Sequence, residues 1–167
     1  MEPVGPDDLD AVARQLRRRP RGVAGVAHRC ACGQPDVVMT EPRLPDGSPF
    51  PTVYYLTCPR ATGAVSGLEA TGVMRELEHL LEDPEVAGAY QNAHEAYIAD
   101  RESISIVPEL AGVSAGGMPT RVKCLHVLVA HSLAVGPGVN PIGDEALRRL
   151  RPWGERGQCA LKPEETP

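Results

Sequence analysis

The sequence predicts an α+β fold: a small sheet in the N-terminal third, packed by four to six helices in a single compact domain. Three observations carry this prediction. Strand-like runs rich in Val, Thr and Tyr between Gly, Pro and Asp turns are confined to residues 22–57. From residue 59 onward apolar residues recur three and four apart, as on helices. A chain of 167 residues with 42% hydrophobic content is long enough to bury one core without a metal merely to hold it folded. The domain is expected to span residues 1–151, with residues 1–20 as an N-terminal helix and residues 152–167 as a disordered, polar, Pro- and Gly-rich tail.

Residues 7–19 read as an amphipathic helix, capped by Asp7 or Asp8, with Leu9, Val12, Ala13 and Leu16 on one face and Pro20 as its stop. Its basic end, Arg17 to Arg19 with Arg21, complements the helix dipole and needs no further role. Residues 22–28 (GVAGVAH), 36–40 (DVVMT) and 52–57 (TVYYLT) read as strands, the last two joined by a rigid loop with four prolines and an Asp-Gly turn. Residues 59–102 read as two or three helices with a break at Asp83-Pro84. Between residues 66 and 110, ten acidic side chains face only Arg75 and Arg101, which describes solvated helix faces. Residues 112–135 read as a small-residue loop opening into an apolar helix, started by Met118-Pro119-Thr120, with Cys124 and His126 in its first turn. A turn, GPGVNP, precedes a last short helix at residues 143–150.

Composition excludes several classes of function. A net charge of -5 and six aromatic residues of the Phe, Tyr and Trp types disfavour nucleic acid as a partner. No apolar run is long enough for membrane insertion, and the start of the chain lacks a signal-type apolar region, so a cytoplasmic protein is expected. Phosphate-loop, dinucleotide, nucleophile-elbow and zincin motifs are all absent.

The cysteines carry the strongest chemistry. Five in 167 residues, an odd number, suit free thiols or metal ligands in a reducing compartment better than a disulfide scaffold. Cys30-Ala31-Cys32 must curl to bring both sulfurs to one point. Two extended residues span roughly 7 Å, more than separates two thiolates held at ~2.3 Å on one ion. Gly33 and Pro35 permit that turn. Cys58 ends a strand and Cys124 starts a helix, both places where sites assemble. The expected set is therefore Cys30, Cys32, Cys58 and Cys124, four thiolates holding an iron–sulfur cluster or, alternatively, zinc. Arg29, Arg60 and Lys123 flank these ligands and could offset their charge. Cys159, in the tail, is expected to be a free surface thiol outside the site.

Around this set, His28, His126 and His131 are candidates for supporting positions. His28 could hydrogen-bond to a thiolate. His131 shares a helix face with Cys124 but lies about 10 Å further along the axis, too far for the same ion. The loop carrying Ser114, Gly116 and Gly117, with Arg121 and Lys123, could receive a phosphate or carboxylate at a helix N-terminus, or could be a tight turn only.

The blocks HRCxCGxP, LPDGxPFPTxYYLTCPR, GVMREL, GxSAGGMPxRVKCLHVLVAHxLA and GPGVNPxGDEAL resemble a bacterial, mainly actinobacterial, family catalogued as domain of unknown function 501. The resemblance runs from about residue 14 to residue 150. It implies that Cys30, Cys32, Cys58 and Cys124 occupy the family's cysteine positions, with Cys159 outside them. Genes of that family often neighbour a septum-formation initiator and an exopolyphosphatase, which implies a link to cell division, envelope or phosphate physiology.

Three readings follow from the sequence. One is a cytoplasmic metal-binding domain built on the cysteine cluster, with an unidentified protein or a small anionic ligand as partner. Another is a thiol enzyme with Cys124 as nucleophile, its pKa lowered by the helix start and Lys123. The third is a metal-free interaction module whose cysteines only pack.

Overall fold

A computed structural model describes residues 2–161. Helix α1 (Pro6–Leu16) begins with Pro at its first position, and the Asp8 carboxylate accepts from the Gly5 N–H. It stops earlier than Pro20 suggests, because Arg17 takes the left-handed conformation and folds its N–H back onto the last turn. Strands β1 (Val23–Arg29), β2 (Pro35–Thr40) and β3 (Tyr54–Leu56) form one antiparallel sheet in that order. β2 lies in the middle and is buried along its whole length. The 41–53 loop closes on itself through a bridge between Arg43 and Pro49 and returns the chain to the sheet.

Six helices accompany the three strands among the described residues, as the sequence predicts. Helices α2 (Pro59–Glu69) and α3 (Val73–His79) follow the sheet. A 3-10 turn then leads to α4 (Pro84–Ile104), capped by Asp83, whose side chain accepts from the Glu85 N–H at 2.8 Å. One face of α4 carries Tyr90, Ala93, Tyr97 and Arg101 into the core, the three-and-four spacing of a single helical stripe. Helix α5 (Leu125–Val135) is apolar nearly all round because it is enclosed by β3, α2 and α6 (Pro141–Arg149). Gly143 is where α6 meets α5. A Cβ there would strike the Leu128 carbonyl and the Ser132 hydroxyl, so only glycine allows this approach. No helix among the described residues is long and apolar enough to cross a membrane.

Two polar side chains in this interior matter for stability. Arg101 is 1% exposed and donates to the carbonyls of Leu110 at 2.8 Å, Pro51 at 3.4 Å and Val113, which pins two loops to α4. His131 is fully buried, stacked on Tyr54 and edge-on to Tyr97. Its Nδ1 faces the Asn140 amide at 3.2 Å, and among the described residues its Nε2 has no hydrogen-bond partner. His131 therefore belongs to the core and not to a cysteine site.

Burial pushes the His131 pKa down to about 4, with Asp100 and Asp144 opposing. Because the folded value lies below the unfolded one, stability is fully present above pH 6.5 and falls as the pH drops toward 4. The loss should approach about 3 kcal/mol. Denaturant melts from pH 7 to 4 should show it, and His131→Gln should flatten that part of the profile. A His131→Gln profile as steep as wild type would assign the acid sensitivity to other groups.

Candidate metal centre

The turn between β1 and β2 curls as the C-x-C spacing requires. Cys30 donates its N–H to the Gln34 carbonyl at 3.0 Å, the Gly33 N–H returns to the Cys30 carbonyl at 2.8 Å, and Gly33 takes φ +83. Cys58 is the cap residue of α2, fully buried, with Pro59 opening the helix. Cys159 then comes to them from the C-terminal segment. The sulfurs of Cys30, Cys58 and Cys159 all lie within 4.8 Å of one another, and Cys30 Sγ is 3.6 Å from Cys159 Sγ. Cys32 is not one of these three sulfurs, but it stands two residues beyond Cys30 on the same turn, and its thiol acts on the charge of the Cys30 and Cys159 thiols. These nearby cysteines could hold a metal.

The C-terminal segment is held in place by several contacts. Gln34 pairs through its side chain with the N–H and carbonyl of Ala160, at 3.1 and 2.9 Å. The Trp153 indole donates to Asp36 at 3.4 Å, and Arg60 donates to the Gly157 carbonyl at 3.3 Å. Gly154, at φ +81, lies directly over Cys30 Sγ, where any Cβ would collide with the sulfur. Residues 152–161 thus pack against the hairpin and α2 where the sequence predicts disorder. The rest of that predicted tail, residues 162–167, lies outside the described residues. Cys159 is a member of the cluster and not an isolated surface thiol. The one signal that could have found it is the lone Trp153, since an apolar ring has no use in a solvated tail.

Electrostatics in the cluster reflect crowding. Burial raises the Cys30 thiol to about 11. Burial also pushes Cys32 up, but the N–H groups of Gln34 and Cys159 and the thiols of Cys30 and Cys159 outweigh it and leave Cys32 below its ordinary value. Cys159 is driven far above its usual range, first by burial and then by the sulfurs of Cys58, Cys30 and Cys32. Several thiolates cannot share this space without a cation among them. Arg29 does not serve as one, because it is bound to Asp8 at 2.8 Å and Glu2 at 2.8 Å. His28 pairs with Asp36 at 2.7 Å, the carboxylate that also receives Trp153, so its support to the cluster is indirect. The hydrogen bond that the His28 ring donates to Asp36 raises the His28 pKa.

Cys124 does not join this cluster. It caps α5, which starts at Leu125 and not at Thr120, because the preceding residues close a tight turn: the N–H groups of Lys123 and Cys124 both point to the Gly116 carbonyl, at 2.8 and 3.3 Å. Its neighbours are His126 and Glu69. Sγ is 4.0 Å from His126 Nδ1, which is 3.4 Å from a Glu69 carboxylate oxygen. The hydrogen bond with His126 holds the Cys124 thiol below its ordinary value, and the same bond raises His126.

The loop before α5 turns its donors inward. The Val122 N–H goes to Glu78 at 3.1 Å, and the Leu125 N–H, at the helix start, goes to Glu69 at 2.8 Å. Arg121 pairs with Glu78 at 2.9 Å. Ser114 is buried and shares a hydrogen bond with His94 at 2.8 Å. A Cβ on Gly116 would press on Leu128, and one on Gly117 would strike the Arg121 carbonyl at 2.6 Å. Close approach within the chain explains both glycines, and the carboxylates meeting these N–H groups belong to the chain itself. Lys123 is exposed.

Residues 26–148 match the family described as "Protein of unknown function (DUF501)"; Cys30, Cys32, Cys58 and Cys124 fall inside the match and Cys159 beyond it. Comparison with curated proteins finds no match. Comparison with solved structures finds none either.

Proposed function

We propose that this chain, which belongs to the DUF501 family, is a metalloprotein in which Cys30, Cys32, Cys58 and Cys159 hold a single zinc ion. The observation that carries the reading is sulfur spacing. Two thiolates at ~2.3 Å on a tetrahedral ion are about 3.8 Å apart, and Cys30 and Cys159 stand at 3.6 Å. An iron–sulfur cluster distributes its cysteines over several irons and so needs a wider set of sulfurs. Three sulfurs within 4.8 Å of one another favour one ion.

Four thiolates close the coordination shell, so this centre is structural in character. It ties the C-terminal segment to the β1–β2 turn and to the start of α2. Such a site needs reduced thiols, which accords with a cytoplasmic protein.

Elemental analysis of protein purified without chelators tests the proposal. Zinc should be present at one equivalent or more per chain. One equivalent should be lost in each of Cys30→Ser, Cys32→Ser, Cys58→Ser and Cys159→Ser, while Cys124→Ser keeps that equivalent. Stoichiometric iron with sulfide and a visible charge-transfer band would replace the zinc ion by a cluster. The absence of both metals would reduce the four cysteines to packing.

A further inference from the structure

The three donors around the start of α5 make a group of their own. Glu69 ends α2, Cys124 caps α5 and His126 lies in its first turn, and one donor atom from each lies within 4.8 Å of the other two. We propose that Glu69, Cys124 and His126 form a second metal site, separate from the thiol cluster, that binds a borderline divalent cation such as zinc through three protein donors and keeps its fourth position for a ligand from the adjoining cleft.

The spacing suits a single ion. Tetrahedral coordination at ordinary zinc bond lengths sets imidazole nitrogen and carboxylate oxygen about 3.3 Å apart, and sulfur and nitrogen about 3.6 Å apart. The distances here are 3.4 Å from His126 Nδ1 to Glu69 and 4.0 Å from Cys124 Sγ to His126 Nδ1. Thiolate, imidazole and carboxylate together match zinc or cobalt better than calcium or magnesium, which require oxygen donors.

Orientation is already set. His126 Nε2 lies 3.2 Å from the Thr62 carbonyl, which can only accept, so the ring proton belongs on Nε2 and Nδ1 is left to face Cys124 and Glu69. Ser66 Oγ stands at 3.2 Å from the same Nε2. A metal-binding histidine commonly donates its remote N–H to a carbonyl in this way. The Leu125 N–H donates at 2.8 Å to the same Glu69 oxygen that faces His126, which fixes that oxygen at the start of α5. Without metal, Cys124 and His126 share a proton; a cation binding there releases it to solvent.

Three protein ligands and an open position distinguish a reactive zinc site from a closed structural one. Cys124 and His126 both line a cleft of about 340 Å³ whose other walls include Tyr54, Leu56, Thr62 and Val127. The fourth ligand is therefore water, or the donor atom of a small, mostly apolar molecule that the cation would polarise.

Alkylation mapping tests this with zinc itself as the probe. Full-length protein is treated with iodoacetamide near neutral pH with and without added Zn²⁺, and modification of the Cys124 peptide is followed by mass spectrometry. Zinc should slow modification of Cys124 at least tenfold, and that protection should need at least tenfold more zinc in His126→Ala and in Glu69→Gln. Protection should persist in Cys159→Ser, which removes a ligand of the first site and leaves α5 untouched, so failure of the thiol-cluster reading would not imitate failure of this one. Cys124 alkylating at the same rate with and without zinc would overturn the proposal and leave a thiolate–imidazolium pair suited to nucleophilic chemistry. Equal protection in wild type and both variants would overturn it as well.

Discussion

Cys58→Ser should abolish zinc binding at the proposed thiol site and lower the thermal midpoint by about 10 °C. A ligand present at a thousandfold over its dissociation constant adds roughly 4 kcal/mol to stability, and in a chain of this size each kcal/mol moves the midpoint by about 2–4 °C. Cys58 is fully buried at the cap of α2, so serine there also buries a hydroxyl where a thiol packed. The measurement that separates the two costs is a melt with and without a strong chelator. Wild type should lose most of the same stability in chelator, whereas Cys58→Ser should lose nothing further. A wild-type midpoint that ignores the chelator would mean that no metal supports the fold. Loss of the proposed zinc ion should also loosen residues 152–161, because Cys159, which would help to hold it, belongs to that segment and lies beside Cys30 and Cys58.

Arg101→Met should destabilise by about 3 kcal/mol or more. The stem length is nearly kept, so little cavity forms, but the carbonyls of Leu110, Val113 and Pro51 lose their buried donor. Each unsatisfied buried group costs about 1–3 kcal/mol. Equilibrium urea unfolding measures the loss. Arg101→Lys should recover only part of it, since one ammonium cannot reproduce the fork that reaches two loops. A change under about 1 kcal/mol in Arg101→Met would show that water replaces the guanidinium at those carbonyls.

Much of the fold was legible because local rules and tertiary burial agree. Pro59 and Pro84 each occupy a first helical position, and Asp83 caps where the Asp-Pro pair said a helix would begin, whereas α6 starts at Pro141, two residues before the expected Gly143. The strands at 22–28, 36–40 and 52–57 appear within two residues of their expected limits. Helix α5 was the exception at its start. Its first expected turn is spent on a loop whose glycines approach Leu128 and the Arg121 carbonyl, and no periodicity records a backbone contact of that kind.

Site chemistry divided differently. Cys30, Cys32 and Cys58 could be grouped from spacing, strand ends and a turn that only Gly33 completes. Choosing the fourth partner required distances between segments far apart in the chain, and a helix-start cysteine looked as suitable as one in a polar tail. His126 shows the same limit: two residues after Cys124 it sits well round the helix from residues on an ideal face, yet Cys124 lies outside the helix proper as its cap, and that extended backbone lets the two side chains meet.

By itself the sequence determined the α+β architecture, the order of its helices and strands, the curled C-x-C turn and the cysteines from which a cluster could be built, because each follows from local conformational preference or from the identity of the side chain. Only the tertiary structure decided that Cys159 completes the cluster and that Cys124 belongs with His126 and Glu69. Sulfur atoms from Cys30, Cys58 and Cys159 are brought together by a C-terminal segment anchored through Gln34, Asp36 and Arg60, contacts between residues about a hundred positions apart whose partners no local pattern can specify.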